Sequence, residues 1–164
     1  MYSGTNRADV LKNPYVHVLA PVVAAAALNG FIYSSRQTLF QGQTLFQVQN
    51  PVQGLPPGYV IGAVWLVLFA FMGYAHYLLY SSKGRLTAGC VAIELLFVYS
   101  MLYPFLTGLR PKAGLVFNLL ALVGGFLTAG FVLRESDAAL AFVAPYLLWA
   151  FYVNLVFVLL CSRS

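Results

Sequence analysis

The chain has 164 residues, 61% of them hydrophobic and 8% charged, with a net charge of +5 and a mean hydropathy of +0.82. A soluble domain normally carries roughly 25% charged residues, and a chain this short cannot hide so much apolar surface in one globular core. The surplus needs an apolar solvent, which excludes an ordinary water-soluble domain. The few cations form no basic stripe, which excludes a nucleic-acid-binding surface.

The charges punctuate the apolar runs, and a membrane-spanning helix needs about 20 apolar residues. The N-terminal stretch mixes Arg7, Asp9 and Lys12 and is followed by no clear cleavage site, so it is not read as a signal peptide. The first predicted span covers 14–33. A glutamine-rich loop, 34–55, follows and contains the tandem repeat Gln37-Thr38-Leu39-Phe40-Gln41-Gly42 and Gln43-Thr44-Leu45-Phe46-Gln47-Val48. Its Leu-Phe pairs suit either a lid over the bundle mouth or a duplication that merely lengthens the loop.

The second span, 58–80, opens on Pro56-Pro57-Gly58, a rigid start that suits the first turn of a helix. The third covers 86–107, the fourth 113–133 and the fifth 138–161. The bilayer offers no water to unpaired backbone groups, so all five should be helices. The expected fold is therefore all-α: a bundle of five transmembrane helices in a single membrane domain. Orientation stays open, because one side carries Arg7, Lys12, Lys83, Arg85 and Arg134 and the other Arg36, Arg110, Lys112 and Arg163.

Polar residues inside apolar spans carry the next layer of information. Glu94 is an acid well inside the third span, where a charge is costly unless it faces the bundle interior, is paired or is protonated. It suits a ligand contact or proton-linked switch, or an acid hydrogen-bonded to a neighbouring helix. Asn29, Asn118 and Asn154 are read as interhelical hydrogen-bonding amides. His17, His76, Cys90 and Cys161 show no metal-ligand spacing and no disulfide framework, so no metal site is expected. His76, near the far end of its span, is read as reaching toward an interface rather than as an axial haem ligand. On the fourth span Ala121, Gly125 and Ala129, with Gly124 and Gly130 beside them, form a small-residue face. Such a face serves either an oligomer interface or packing within the bundle.

The most specific stretch lies in the second span. Trp65, Phe69, Met72 and His76 share one helical face, a flat aromatic wall that on its own reads more readily as core than as a cofactor site. Pro56, Pro57, Tyr59, Gly62, Val64, Trp65, Phe69, Met72 and Gly73 resemble the signature of the translocator protein family (TspO/MBR, tryptophan-rich sensory protein or peripheral-type benzodiazepine receptor). Pro145-Tyr146-Leu147-Leu148-Trp149 is similar to a second family motif, Pro104 to Arg110 to a third, and Leu19-Ala20-Pro21 suits the family's first helix. The chain departs from the pattern at Gly54, Ala63, Tyr99 and Leu102. It also lacks a basic residue near Tyr152 that would complete a sterol-recognition pattern.

The resemblance implies a membrane receptor or sensor that binds tetrapyrroles, protoporphyrin IX or haem, and other flat lipophiles such as sterols in a cavity within the bundle. It implies that the two tryptophans, Trp65 and Trp149, line that cavity, with Ile61, Phe105, Tyr146 and Val153 as further ligand-contacting candidates. No cofactor is required. Two alternatives accompany this reading: a light-dependent porphyrin-degrading enzyme, in which Trp65 and Trp149 would be the catalytic candidates, and a sterol or tetrapyrrole transporter. The expected partners are the lipid bilayer, a porphyrin or sterol, and a second copy in a homodimer, with no nucleic acid. The expected setting is multi-pass, in the mitochondrial outer membrane of a eukaryote or the cell envelope of a bacterium.

Overall fold

A computed structural model describes residues 13–39, 56, 58–107 and 111–161. The side chains of 29, 32–39, 58–59, 104–107, 111–113 and 160–161 lie outside the described set. The described chain forms five helices: α1 Pro14–Leu39, α2 Gly58–Lys83, α3 Ala88–Thr107, α4 Pro111–Leu133 and α5 Asp137–Cys161. Their lengths, 26, 26, 20, 23 and 25 residues, exceed or match one bilayer crossing. Three segments are long and apolar enough to qualify on their own: Val60–Lys83, Gly114–Leu133 and Asp137–Leu159. The described apolar parts of α1 and α3, Pro14–Leu28 and Ala88–Tyr103, are shorter.

One boundary differs clearly from the sequence reading. The first helix does not stop at 33 but continues to Leu39, taking in residues first assigned to the 34–55 loop. The physical reason is that Ser34, Ser35, Arg36 and Gln37 are polar but not helix-breaking, so leaving the apolar layer does not end the helix. The rest of that loop, including most of the tandem repeat, lies outside the described residues.

The helix ends are set by local chemistry. Asn13 Oδ1 accepts a hydrogen bond from the Tyr15 N–H at 3.0 Å, and Pro14 takes the first helical position. Thr87 Oγ1 accepts from the Cys90 N–H at 3.2 Å, and Ser136 Oγ from the Ala139 N–H at 3.2 Å, capping α3 and α5. α2 ends at Gly84, whose φ of +63° is the left-handed conformation that lets its N–H reach the Tyr80 carbonyl at 2.8 Å.

The helices pack in the circular order α1, α2, α5, α4, α3. α1 leans mainly on α2, and α3 mainly on α4, so the ring closes loosely between α1 and α3. The core holds Met72, Leu79, Ile93, Val132, Val143 and Tyr146, all fully buried. Around the outside, large apolar side chains are bare: Leu95 is 66% and Leu148 72% exposed. Helices that are apolar all round belong in lipid, so this outer surface meets acyl chains.

Close packing uses small residues. A Cβ on Gly73 would collide with the backbone carbonyl of His17, so α2 touches the backbone of α1 at this point. Pro21, four residues on, has no N–H to donate to that carbonyl, which is consistent with so close an approach. The small-residue face of α4 is occupied within the chain: Ala121, Gly125 and Ala129 are buried, and Gly125 faces Leu147 and Tyr146 of α5. Packing within the bundle thus accounts for Ala121, Gly125 and Ala129, while Gly130 beside them is exposed with open space around it.

Interhelical hydrogen bonds add register. Asn154 Nδ2 donates to the Asn118 carbonyl at 3.0 Å, joining α5 to α4. The Tyr99 hydroxyl donates to the Phe117 carbonyl at 2.7 Å, joining α3 to α4. The Asn154 amide thus acts between helices, as read from the sequence, while Asn118 contributes its main-chain carbonyl to that bond and its side-chain Nδ2 is buried without a partner among the described residues; the side chain of Asn29 lies outside them.

Candidate ligand-binding site

Two hollows lie along the α1–α3 seam, over α2. The deeper one is small, about 50 Å³, and is lined by Ala25, Leu28, Trp65, Phe69, Ser100, Met101 and Tyr103. The other is about 550 Å³ and is lined mainly by Val16, His17, Ala20, Pro21, His76, Tyr80, Arg85, Glu94 and Phe97. A row of rings runs between them. Trp65 packs on Phe69 at 5.6 Å between centroids, and Phe69 on Phe97 at 5.3 Å. Phe69 belongs to the wall of the small hollow and Phe97 to that of the large one, so this ring pair forms the partition.

The structure places the sequence-derived candidates unevenly. Trp65 lines the small hollow and meets the Tyr146 ring edge-on at 5.8 Å. Tyr146 is fully buried, and its hydroxyl lies 3.2 Å from Ser100 Oγ, another lining residue. Trp149 lies three residues beyond Tyr146 on α5, against Tyr152 at 5.5 Å. Its indole N–H is buried without a hydrogen-bond partner. No ring contact joins Trp65 to Trp149 among the described residues, so the two indoles do not form a stacked pair. Ile61 and Val153 are half-buried and line neither hollow. The side chain of Phe105 lies outside the described residues.

The larger cavity contains an arrangement that sequence reasoning missed. His17 Nδ1 and His76 Nδ1 lie 2.9 Å apart with their rings stacked, and His76 Nε2 lies 3.0 Å from Glu94 Oε1. An ionised Glu94 fixes the proton pattern. Its carboxylate accepts from the His76 Nε2–H, and a neutral His76 then accepts from the His17 Nδ1–H. The chain of contacts runs α1–α2–α3 in a line. Among the described residues no group of three His, Cys, Asp or Glu is arranged to hold a metal ion.

His76 is thus not an interfacial side chain. It is 8% exposed and held between two partners, because a polar ring at that depth is satisfied more cheaply by protein groups than by reaching for water. Glu94 is the acid bonded to a neighbouring helix, its side chain 52% exposed along the seam. One sequence signal pointed here. Counting about 1.5 Å per residue, His17, His76 and Glu94 lie about 5, 10 and 9 Å from the helix ends Pro14, Lys83 and Ala88, all on one side of the bundle.

An apolar exterior, a five-helix ring and a hollow seam with an aromatic wall define a helical integral membrane protein with room for a lipophilic ligand. The family model for the TspO/MBR family matches residues 17–159, and the chain belongs to that family. Membership supports a membrane sterol- or tetrapyrrole-binding role in general terms. No curated protein and no solved structure matches the chain.

Proposed function

We propose that this protein is a membrane receptor or sensor for tetrapyrroles, protoporphyrin IX or haem, and for other flat lipophiles such as sterols, bound along the α1–α3 seam against Trp65. The observation that carries this reading is the continuous aromatic row Trp65–Phe69–Phe97, which flanks both hollows. An indole face and two phenyl rings in sequence offer a flat conjugated macrocycle a stacking wall. Ligand pockets usually measure about 300–1,000 Å³. The hollow at Trp65, about 50 Å³, is too small alone, so the ligand enters by displacing the Phe69–Phe97 partition and joining the two spaces. Trp149 lines neither hollow, so Trp65 is the indole that this reading places against the ligand.

The test is a titration of protoporphyrin IX into purified protein, read by the shift of the porphyrin's own absorption band and by tryptophan quenching. Because Trp65 and Trp149 are the two tryptophans of the chain, each single variant leaves one reporter. Trp65→Phe should weaken porphyrin binding about tenfold, the scale of losing one good aromatic contact, while Trp149→Phe should have a smaller effect. Unchanged porphyrin affinity in the Trp65→Phe, Trp149→Phe double variant would remove both indoles from the site. Parallel titrations of haem and cholesterol rank the ligand classes.

A further inference from the structure

We propose that the larger cavity at the α1–α3 seam also takes a long-chain monocarboxylate from the bilayer, with Arg85 as the charge partner of its head group. Three observations carry this. The first is volume and lining: about 550 Å³ with a predominantly apolar wall of Val16, Ala20, Pro21, Leu86 and Phe97, the scale of a pocket that encloses a small lipophile. The second is access. α1 and α3 scarcely touch, so the cavity opens sideways toward acyl chains rather than only toward water.

The third is charge. Arg85 lines the cavity at its rim, two residues past the end of α2, and no described Asp or Glu lies within 4.0 Å of it. The other ion in the wall, Glu94, already accepts from His76 at 3.0 Å. The charged side chain left without a protein partner among the described residues is therefore Arg85, and it sits at interfacial depth, where the carboxylate of a membrane-resident acid resides. A guanidinium binds a carboxylate in fork geometry. Tyr80, one turn before the end of α2, also lines the cavity, and the ligand's chain runs inward past Ala20 and Pro21 to Phe97. A monoanion fits better than a dianionic phosphate, because Glu94 shares the wall and repels added negative charge.

This site lies within the larger of the two hollows that the porphyrin reading joins but does not use Trp65, and the experiment tells the two apart. The protein is reconstituted in phosphatidylcholine nanodiscs, and cis-parinaric acid, a fluorescent long-chain carboxylate, is titrated against empty discs. A saturable rise in parinarate fluorescence is expected, absent for the methyl ester. Arg85→Gln should weaken it about tenfold, as loss of a charge-assisted hydrogen bond does; Arg85 is exposed, so the variant should fold normally. Ala20→Phe should abolish binding by filling the cavity, while Trp65→Phe, which weakens porphyrin, should leave it within about twofold. Equal binding of acid and ester, no saturable binding, full affinity in Arg85→Gln, or loss in Trp65→Phe would each overturn the proposal.

Discussion

Gly73 and Gly130 are chemically identical residues that the structure separates sharply. A side chain on Gly73 runs into the backbone of α1 at His17, whereas nothing lies within 4 Å of a Cβ on Gly130. Backbone cannot rotate away as a side chain can, so Gly73→Ala should destabilise at the top of the ~1–3 kcal/mol range of overpacked cores. Gly130→Ala should be neutral or stabilise by up to about 1 kcal/mol through helix propensity. Thermal unfolding in detergent, read by tryptophan fluorescence, should order them in that way; equal midpoints would contradict the close α1–α2 contact. Tyr146→Phe tests a different residue-scale term. It removes the hydroxyl next to Ser100 and should cost roughly 0.5–1.5 kcal/mol, the net worth of a buried hydrogen bond.

Single helices are defined by their ends as much as by their apolar runs. Ser136 satisfies a first-turn N–H of α5 that would otherwise be left without a helical partner. Ser136→Ala should cost about 1 kcal/mol, and hydrogen exchange in the first turn of α5 should speed up while the middle of the helix is unchanged. Glu135, beside it, reaches across to accept from the Gly89 N–H at 3.0 Å, so the α4–α5 connection also caps α3. Thr87 and Ser136 stand just before apolar runs, but their capping bonds were read from the structure and not from the sequence. The Glu135–Gly89 contact was not legible in the sequence either, because 46 residues separate its partners and no local pattern marks it.

At the scale of the bundle, the decisive feature is the unequal closure of the ring. α3, α4 and α5 are laced by Tyr99, Asn118 and Asn154, while α1 meets α3 only weakly. Spin labels at Ala24 and Leu95, in a background with Cys90 and Cys161 replaced by serine, should give a broader distance distribution than labels at Val116 and Leu155. Protoporphyrin IX should narrow the α1–α3 distribution and leave the α4–α5 one unchanged. Narrow distributions for both pairs without ligand would mean that the seam is no route into the bundle.

The amino-acid sequence alone determined that this is an all-helical membrane protein, where its apolar helices run, and to which family its motifs point. Those properties reside in contiguous stretches: hydropathy over about 20 residues, a Pro-Pro-Gly start, a Trp65-to-Gly73 motif. Only the tertiary structure decided which face each helix buries, that Gly125 of α4 makes room for α5, and that Trp65 and Trp149 are not stacked on each other. It alone joined His17, His76 and Glu94, which come from three helices and sit 59 and 18 residues apart along the chain. Helices apolar on every side carry almost no rotational signal, so packing rather than periodicity sets which of their side chains meet.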